Sequence, residues 1–342
     1  MNSSHEAVIV DAILKGEWST VLSEGTAWSE EPESGPRAFF SISIASLVQG
    51  NFAKAWQVHS QSLEKPEDIE SVKEWVEAMQ GLSPDSSHVH LVFGLFLGQS
   101  GKAEESVACY EHAIQLDPTS AYPHFFRAQI LQRVQRKDQA IKSYREAVKQ
   151  DPSYIAARLN LGVAYQDQGQ LEMAIPQYRE ILKMRPDDAV AHTNLGCALA
   201  EQGKIEPAIL EYKKALELVP NDPEVHFALG GIYETKGRKD LALRAYEESL
   251  KHAPHFSPAA TAIGWHYYDK EQPDMALDYF SKALNADPED ANATFGVGRV
   301  YDMKGMGSIA ADHYYRALKL ERHPDRKSRI LNFIDKVGGF QT

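Results

Sequence analysis

Two carboxamides, Asn160 and Asn194, stand in matching surroundings, LNLG and TNLG. A carboxamide donates and accepts, so it can pair with the C=O and N–H of a peptide together. Set at a regular interval, such groups can hold an extended backbone without reading its side chains. Equally, they can solvate a surface or hydrogen-bond within the fold. Other chemistry is sparse. His88 and His90 flank one residue, so on a helix they point to different faces, and no cysteine or carboxylate cluster completes a metal site beside them. A surface or groove role is expected for both. Cys109 and Cys197 lack the context of nucleophiles and read as small core or groove residues. Gly296-Val297-Gly298 is no dinucleotide fingerprint, because it falls within a predicted helix with no strand before it. The chain has no G-x-S-x-G, P-loop or H-E-x-x-H sequence. No catalytic residue, metal or cofactor is expected.

The elements that must carry Asn160 and Asn194 are short amphipathic helices, clearest over residues 189–222. Leu195, Gly196 and Leu199 share one face of a first helix. Ala208, Ile209, Tyr212, Ala215 and Leu216 follow the i, i+3, i+4 pattern in a second. Gly203 marks the turn between them, and Pro220 ends the second because it lacks the donor for a further turn. One such hairpin cannot bury its own apolar faces, so it needs copies to stack against.

The copies are present. Prolines recur with an unvarying step at 118, 152, 186, 220, 254 and 288. With the same step alanine recurs at 140, 174, 208, 242, 276 and 310, and an aromatic lies four residues beyond each, from Tyr144 to Tyr314, with Tyr110 ahead of them. Glycine fills a further column at 94, 162, 196, 230, 264 and 298, with Ala128 as the exception. The pattern, L-G-x2-Y, then A-x3-F, then P, resembles the tetratricopeptide repeat family over seven units spanning residues 87–324. The resemblance implies an all-α fold, a right-handed α-solenoid of stacked helix-turn-helix repeats. Small residues such as Gly162, Gly196, Ala174 and Ala208 let two helices approach, and the aromatic fills the space beside them. Gly101, Gly169, Gly203, Gly237 and Gly305 are expected in the left-handed conformation that closes a helix. Pro207 and Pro273 suit a first helical turn. Pro176 predicts a kink or a late helix start.

Residues 1–86 are weaker but related. Gly16, Trp18 and Val21 precede Gly50, Phe52 and Ala55 by one step of the same period, so residues 2–35 and 36–68 read as degenerate hairpins. An inserted helix over about 69–79 follows, with linkers at 30–36 and 82–87. Four of the five tryptophans (Trp18, Trp28, Trp56, Trp75) lie here and are expected to pack these atypical units rather than form a docking surface. Residues 325–342 hold a capping helix and tail. Ile330, Ile334 and Val337 share one face, and Arg322, Arg326, Lys327 and Arg329 read as a solvated one.

Composition narrows the function. The hydrophobic fraction is 43% and the charged fraction 25%, as in folded proteins. A formal charge of -12 argues against nucleic-acid binding and does not favour an anionic membrane. Two distant cysteines suggest a reducing compartment, and neither a signal peptide nor a spanning segment is read. The expectation is a cytoplasmic protein with no membrane insertion.

In the family that the chain resembles, the first helix of each unit lines a concave groove. By phase, the resemblance places Tyr122, Phe125 and Phe126 there, then Leu159, Asn160, Thr193, Asn194 and Phe227. Trp265, Tyr268, Phe295 and Arg299 follow, while Gly98, Gly231 and Gly296 would leave room for a ligand backbone. An acidic rim of Asp167, Glu201, Glu234, Asp269 and Asp302 favours a basic or neutral segment. Co-chaperones of the family hold acidic tails with basic residues, but here Glu224 and Ala228 stand at those positions, which argues against that role. The repeats also resemble those preceding the catalytic domain of O-linked N-acetylglucosaminyltransferases, which carry an asparagine ladder. Nothing of that domain's length follows Val337, so a non-enzymatic protein is expected. The leading reading is a scaffold binding an extended partner segment in its peptide-binding groove, for complex assembly, biogenesis or secretion. The alternative is a structural solenoid that self-associates into a homo-oligomer through its ends or convex face.

Overall fold

A computed structural model describes residues 4–31, 35–49 and 65–338, which form helices with no strand among them. The chain divides into two compact units, one reaching Met184 and the other beginning at Arg185. The first holds α1 (Ser4–Lys15), α2 (Trp18–Ser29), α3 (Pro36–Val48), α4 (Pro66–Leu82), α5 (Ser87–Gln99) and α6 (Ala103–Leu116). It continues with α7 (Ala121–Arg133), α8 (Lys137–Gln150), α9 (Ile155–Gln166) and α10 (Leu171–Met184). The second holds α11 (Ala189–Glu201), α12 (Ile205–Leu218), α13 (Pro223–Thr235), α14 (Lys239–His252) and α15 (Ser257–Asp269). Its remainder is α16 (Pro273–Ala286), α17 (Ala291–Met303), α18 (Gly307–Leu320) and α19 (Pro324–Lys336).

The sequence columns become the joints of these hairpins. Gly101, Gly169, Gly203, Gly237 and Gly305 have φ of +69 to +80°, the left-handed conformation expected of them. At the same station Gln135 (φ 63°) and Glu271 (φ 56°) adopt it without being glycine. The reversal lets the next amide return to the helix, as where Lys204 N–H donates to Leu199 O at 2.8 Å. Where a first helix carries the column glycine, the aromatic of its own hairpin lies on it: a Cβ on Gly230 would come within 2.3 Å of the Tyr246 ring. Phe280 is enclosed by two, Gly264 from its own hairpin and Gly296 from the following one. Buried tyrosines of this column end in a polar anchor twelve residues upstream. Tyr144 donates to Gln132 at 2.9 Å, Tyr178 to Gln166 at 3.0 Å and Tyr246 to Glu234 at 2.8 Å.

A further column emerges at the entry to the first helices. His90, His192 and His226 place Nε2 at 2.7–2.9 Å from the carbonyls of Pro84, Pro186 and Pro220, and Arg158 donates to Pro152 O at 2.8 Å. His90 is therefore buried structure rather than a surface or groove residue. His88 is half-buried with its ring 5.9 Å from that of Trp18. Asp188, Asp222 and Asp290 cap α11, α13 and α17 by accepting backbone N–H groups.

Two helix boundaries differ from expectation, while the packing of the ends follows it. Helix α10 starts at Leu171 and runs through Pro176, so no late start occurs. The inserted helix α4 is longer than 69–79, because Pro66 supplies a helical first residue. Trp18, Trp28 and Trp75 are buried, whereas Gly50, Phe52, Ala55 and Trp56 lie outside the described residues. At the other end Ile330 and Ile334 of α19 close over Phe295, Ala310, Tyr314 and Ala317.

Candidate binding surface

In the second unit, first helices α13, α15 and α17 carry Phe227, Trp265, Asn292 and Phe295 to the edges of two adjoining clefts. The larger, 490 Å³, lies among Phe227, Thr261, Trp265 and Asn292, with Glu234, Asp287 and Asp290 also lining it. The smaller, 320 Å³, lies among Trp265, Asn292, Phe295 and Ile330, with Arg326 and Arg329 of the capping helix. Trp265 is common to both. Its indole N–H donates to Asn292 at 3.2 Å, and its rings pack 5.2 Å from Phe280 and 5.4 Å from Tyr268. This leaves an aromatic surface half-exposed yet held in place.

The polar groups around Trp265 are unequal. Asp290 is committed to the fold, capping α17 at Ala293 N and accepting from Ser257 at 2.7 Å and Thr261 at 2.9 Å. Asp287 is exposed, and its carboxylate accepts only the Glu289 amide among the described residues. Arg326 has a loose pairing with Glu321 at 3.8 Å. One cleft thus presents a carboxylate to solvent and the other guanidinium groups. The arginines were legible as charged but not as cleft residues, since only packing of α19 against α18 brings them beside Trp265.

The other expected groove residues divide by burial. Phe125 is fully buried beside Tyr144 and Tyr154, and Phe126 stacks on Tyr110 at 6.4 Å, so both rings build the core rather than a groove floor. Phe295 is 7% exposed and packs on Tyr314 and Phe333. Tyr122, Leu159, Phe227 and Tyr268 are half-buried. Asn160 is half-buried on α9, and Thr193 donates to Ala189 O at 3.0 Å. Asn194 is half-buried on α11; it and Asn160 belong to different units. Arg299 donates to the Tyr268 hydroxyl at 2.7 Å and lies over Phe333 at 4.2 Å, which ties it to the capping helix.

The glycines and the rim also acquire structural tasks. The space beside Gly98 is taken by Ile130 and Ser106, and that beside Gly296 by Phe280, so neither leaves room for a ligand; Gly231 stays open. Glu234 and Asp302 accept from the core tyrosines Tyr246 and Tyr314, Glu201 accepts from Cys197, and Asp269 pairs with Lys239 at 3.0 Å. Asp167 is exposed beside a 150 Å³ cleft that Gln132, Gln135 and Ala140 also line.

Profiles described as tetratricopeptide repeat match residues 87–120, 223–256 and 261–326, and one described as TPR repeat matches 135–169, 164–203 and 196–237. The chain belongs to the tetratricopeptide repeat family. It is accordingly an all-α solenoid of stacked tetratricopeptide hairpins. Among solved structures it is similar to yeast Tom70, with a TM-score of 0.57 and 13% identity over 98% of this chain and 88% of that one. The APC/C hetero-tetramer Cut9-Hcn1 gives a TM-score of 0.57 and 17% identity over 95% of this chain and 66% of that one. MamA is 29% identical, covering 48% of this chain and 96% of its own, with a TM-score of 0.43. No curated protein matches the chain. In this tetratricopeptide repeat protein, no helix among the described residues is long and apolar enough to cross a membrane.

Proposed function

We propose that this protein-interaction scaffold holds an extended segment of a partner protein along the Trp265 clefts of its second unit, in the assembly or biogenesis of a complex. The observation that carries the reading is Trp265 itself. It is a large aromatic outside the alanine, glycine and aromatic columns that build the hairpins, half-exposed between two clefts and fixed by neighbouring rings. Such an anchor gives much contact area at little cost in side-chain entropy. Asn292 beside it can exchange hydrogen bonds with a peptide backbone. The exposed Asp287 favours a neutral or basic residue in the larger cleft, and Arg326 and Arg329 suit a carbonyl or carboxylate in the smaller.

Selection of binders from a displayed random-peptide library tests this. The expected result is peptides that compete with one another and lose about 1–3 kcal/mol of binding to Trp265→Ala, whose helical content is unchanged. Peptides that bind the wild type and Trp265→Ala equally would remove the Trp265 clefts from the function.

A further inference from the structure

A second site lies in the first unit. In most units the leucine-type position of the first helix is aliphatic and buried: Leu161, Leu195, Leu229, Ile263 and Val297. In α7 that position is Arg127. Three residues earlier stands His124, in the column whose other histidines reach a proline carbonyl. In two units that column also has a partner nineteen residues downstream: His192 meets Glu211 at 2.6 Å and Arg158 meets Gln177 at 3.3 Å. For His124 the corresponding residue is Ser143, whose side chain is too short to serve.

The result is a buried polar group without a partner. His124 is only 8% exposed, and its Nδ1 has no hydrogen bond; neither has Nε of Arg127. An unmade hydrogen bond at a buried group costs about 1–3 kcal/mol, so its persistence needs a reason. Beside these atoms is a cleft of 630 Å³ lined by Glu111, His124, Arg127, Gln139, Lys142, Ser143, Arg145 and Glu146. Arg127 keeps one bond to Glu111 at 3.2 Å, while Lys142 and Arg145 have no carboxylate within ion-pair distance among the described residues. Burial, the main influence, holds the His124 imidazole below its ordinary pKa, leaving a neutral ring with one N–H to give.

We propose that this cleft binds a phosphate group, free or carried on a side chain of a partner. Imidazole, guanidinium and ammonium groups from two helices line one cleft, a set that offers more donors than a carboxylate accepts comfortably on two oxygens. The tetrahedral oxygens of a phosphate can take them, and its charge is matched by Lys142 and Arg145. Glu111 is already engaged by Arg127 and Glu146 by Lys149, so both carboxylates that line the cleft oppose the anion less than their formal charges imply.

The test is nuclear magnetic resonance of the whole chain titrated with phosphoserine, inorganic phosphate or acetate at constant ionic strength. Both phosphates are expected to shift the His124 imidazole signals, with acetate far weaker. The double change Lys142→Ala with Arg145→Ala should raise the half-saturating concentration about five-fold or more while leaving circular dichroism unchanged. Ser143→Glu rebuilds the pair seen between His192 and Glu211; it should abolish the response and raise the melting temperature. Tighter binding of phosphoserine than of phosphate assigns the site to a modified partner, and the reverse assigns it to the free anion. No shift, an equal response to acetate, or an unchanged response in the double variant would overturn the proposal. Trp265→Ala should leave every one of these results intact, because Trp265 lines no part of this cleft.

Discussion

At the scale of single residues, the closest fit is between a glycine and a ring. Gly230→Ala would force a methyl to within 2.3 Å of Tyr246, and the expected loss is about 1–3 kcal/mol in denaturant unfolding. Pairing it with Tyr246→Leu should recover part of that loss, whereas additive losses would mean that the ring is not what excludes the methyl. The turns offer a gain. Gln135 and Glu271 hold positive φ without being glycine, so Gln135→Gly or Glu271→Gly should stabilise by about 0.5–1 kcal/mol. An unchanged or lowered midpoint would show that these side chains make up for the strain. Burial, with Glu105 adding to it, pushes the Cys109 thiol up to about 11. At pH 8 it should therefore alkylate far more slowly than free cysteine, as mass spectrometry of the modified peptide would report.

At the scale of elements, the hairpins were legible because small, aromatic and proline positions recur at one interval, and each marks a contact that every copy must make. What was not legible was which extra aromatics face outward. Phe125 and Trp265 both lie on first helices outside the shared columns, yet one is enclosed by Tyr144 and Tyr154 and the other stands between two clefts. Phase along a helix does not say how large the neighbouring side chains are, and their size decides the outcome. The capping helix is the opposite case. Ile330 and Ile334 could be read as one apolar face, and both are buried against Phe295 and Tyr314. Changing either to alanine should cost about 2–5 kcal/mol, measured by urea unfolding. A cost near zero would mean that α19 covers nothing the fold requires.

At the scale of the whole molecule, the repeated tyrosines make stability a function of alkaline pH. Burial raises the pKa of Tyr110, Tyr144, Tyr212, Tyr246 and Tyr314 above 10. In the unfolded chain they ionise near pH 10, so the stability they lend is complete below that value and falls as pH climbs toward the folded-state pKa. Tyrosinate absorbance and loss of helical circular dichroism should accordingly rise together above pH 10. Ionisation of all five near pH 10 with the helices retained would contradict it. Exposed pairs between successive turns, such as Lys304 with Asp274 at 2.7 Å and Lys236 with Glu206, should by contrast matter little in salt. The position of Phe280 between Gly264 and Gly296 has a genetic consequence. That ring is completed by the hairpin that follows, at a position where earlier repeats carry Ala262, Ala228, Asn194, Asn160 and Phe126, so a tandem in-frame duplication of one whole repeat regenerates this joint when the copied segment holds both Phe280 and Gly296. A duplication that is not a whole number of repeats leaves a ring facing the wrong residue. Lengths in such a lineage are therefore free to change by whole repeats and constrained against everything between.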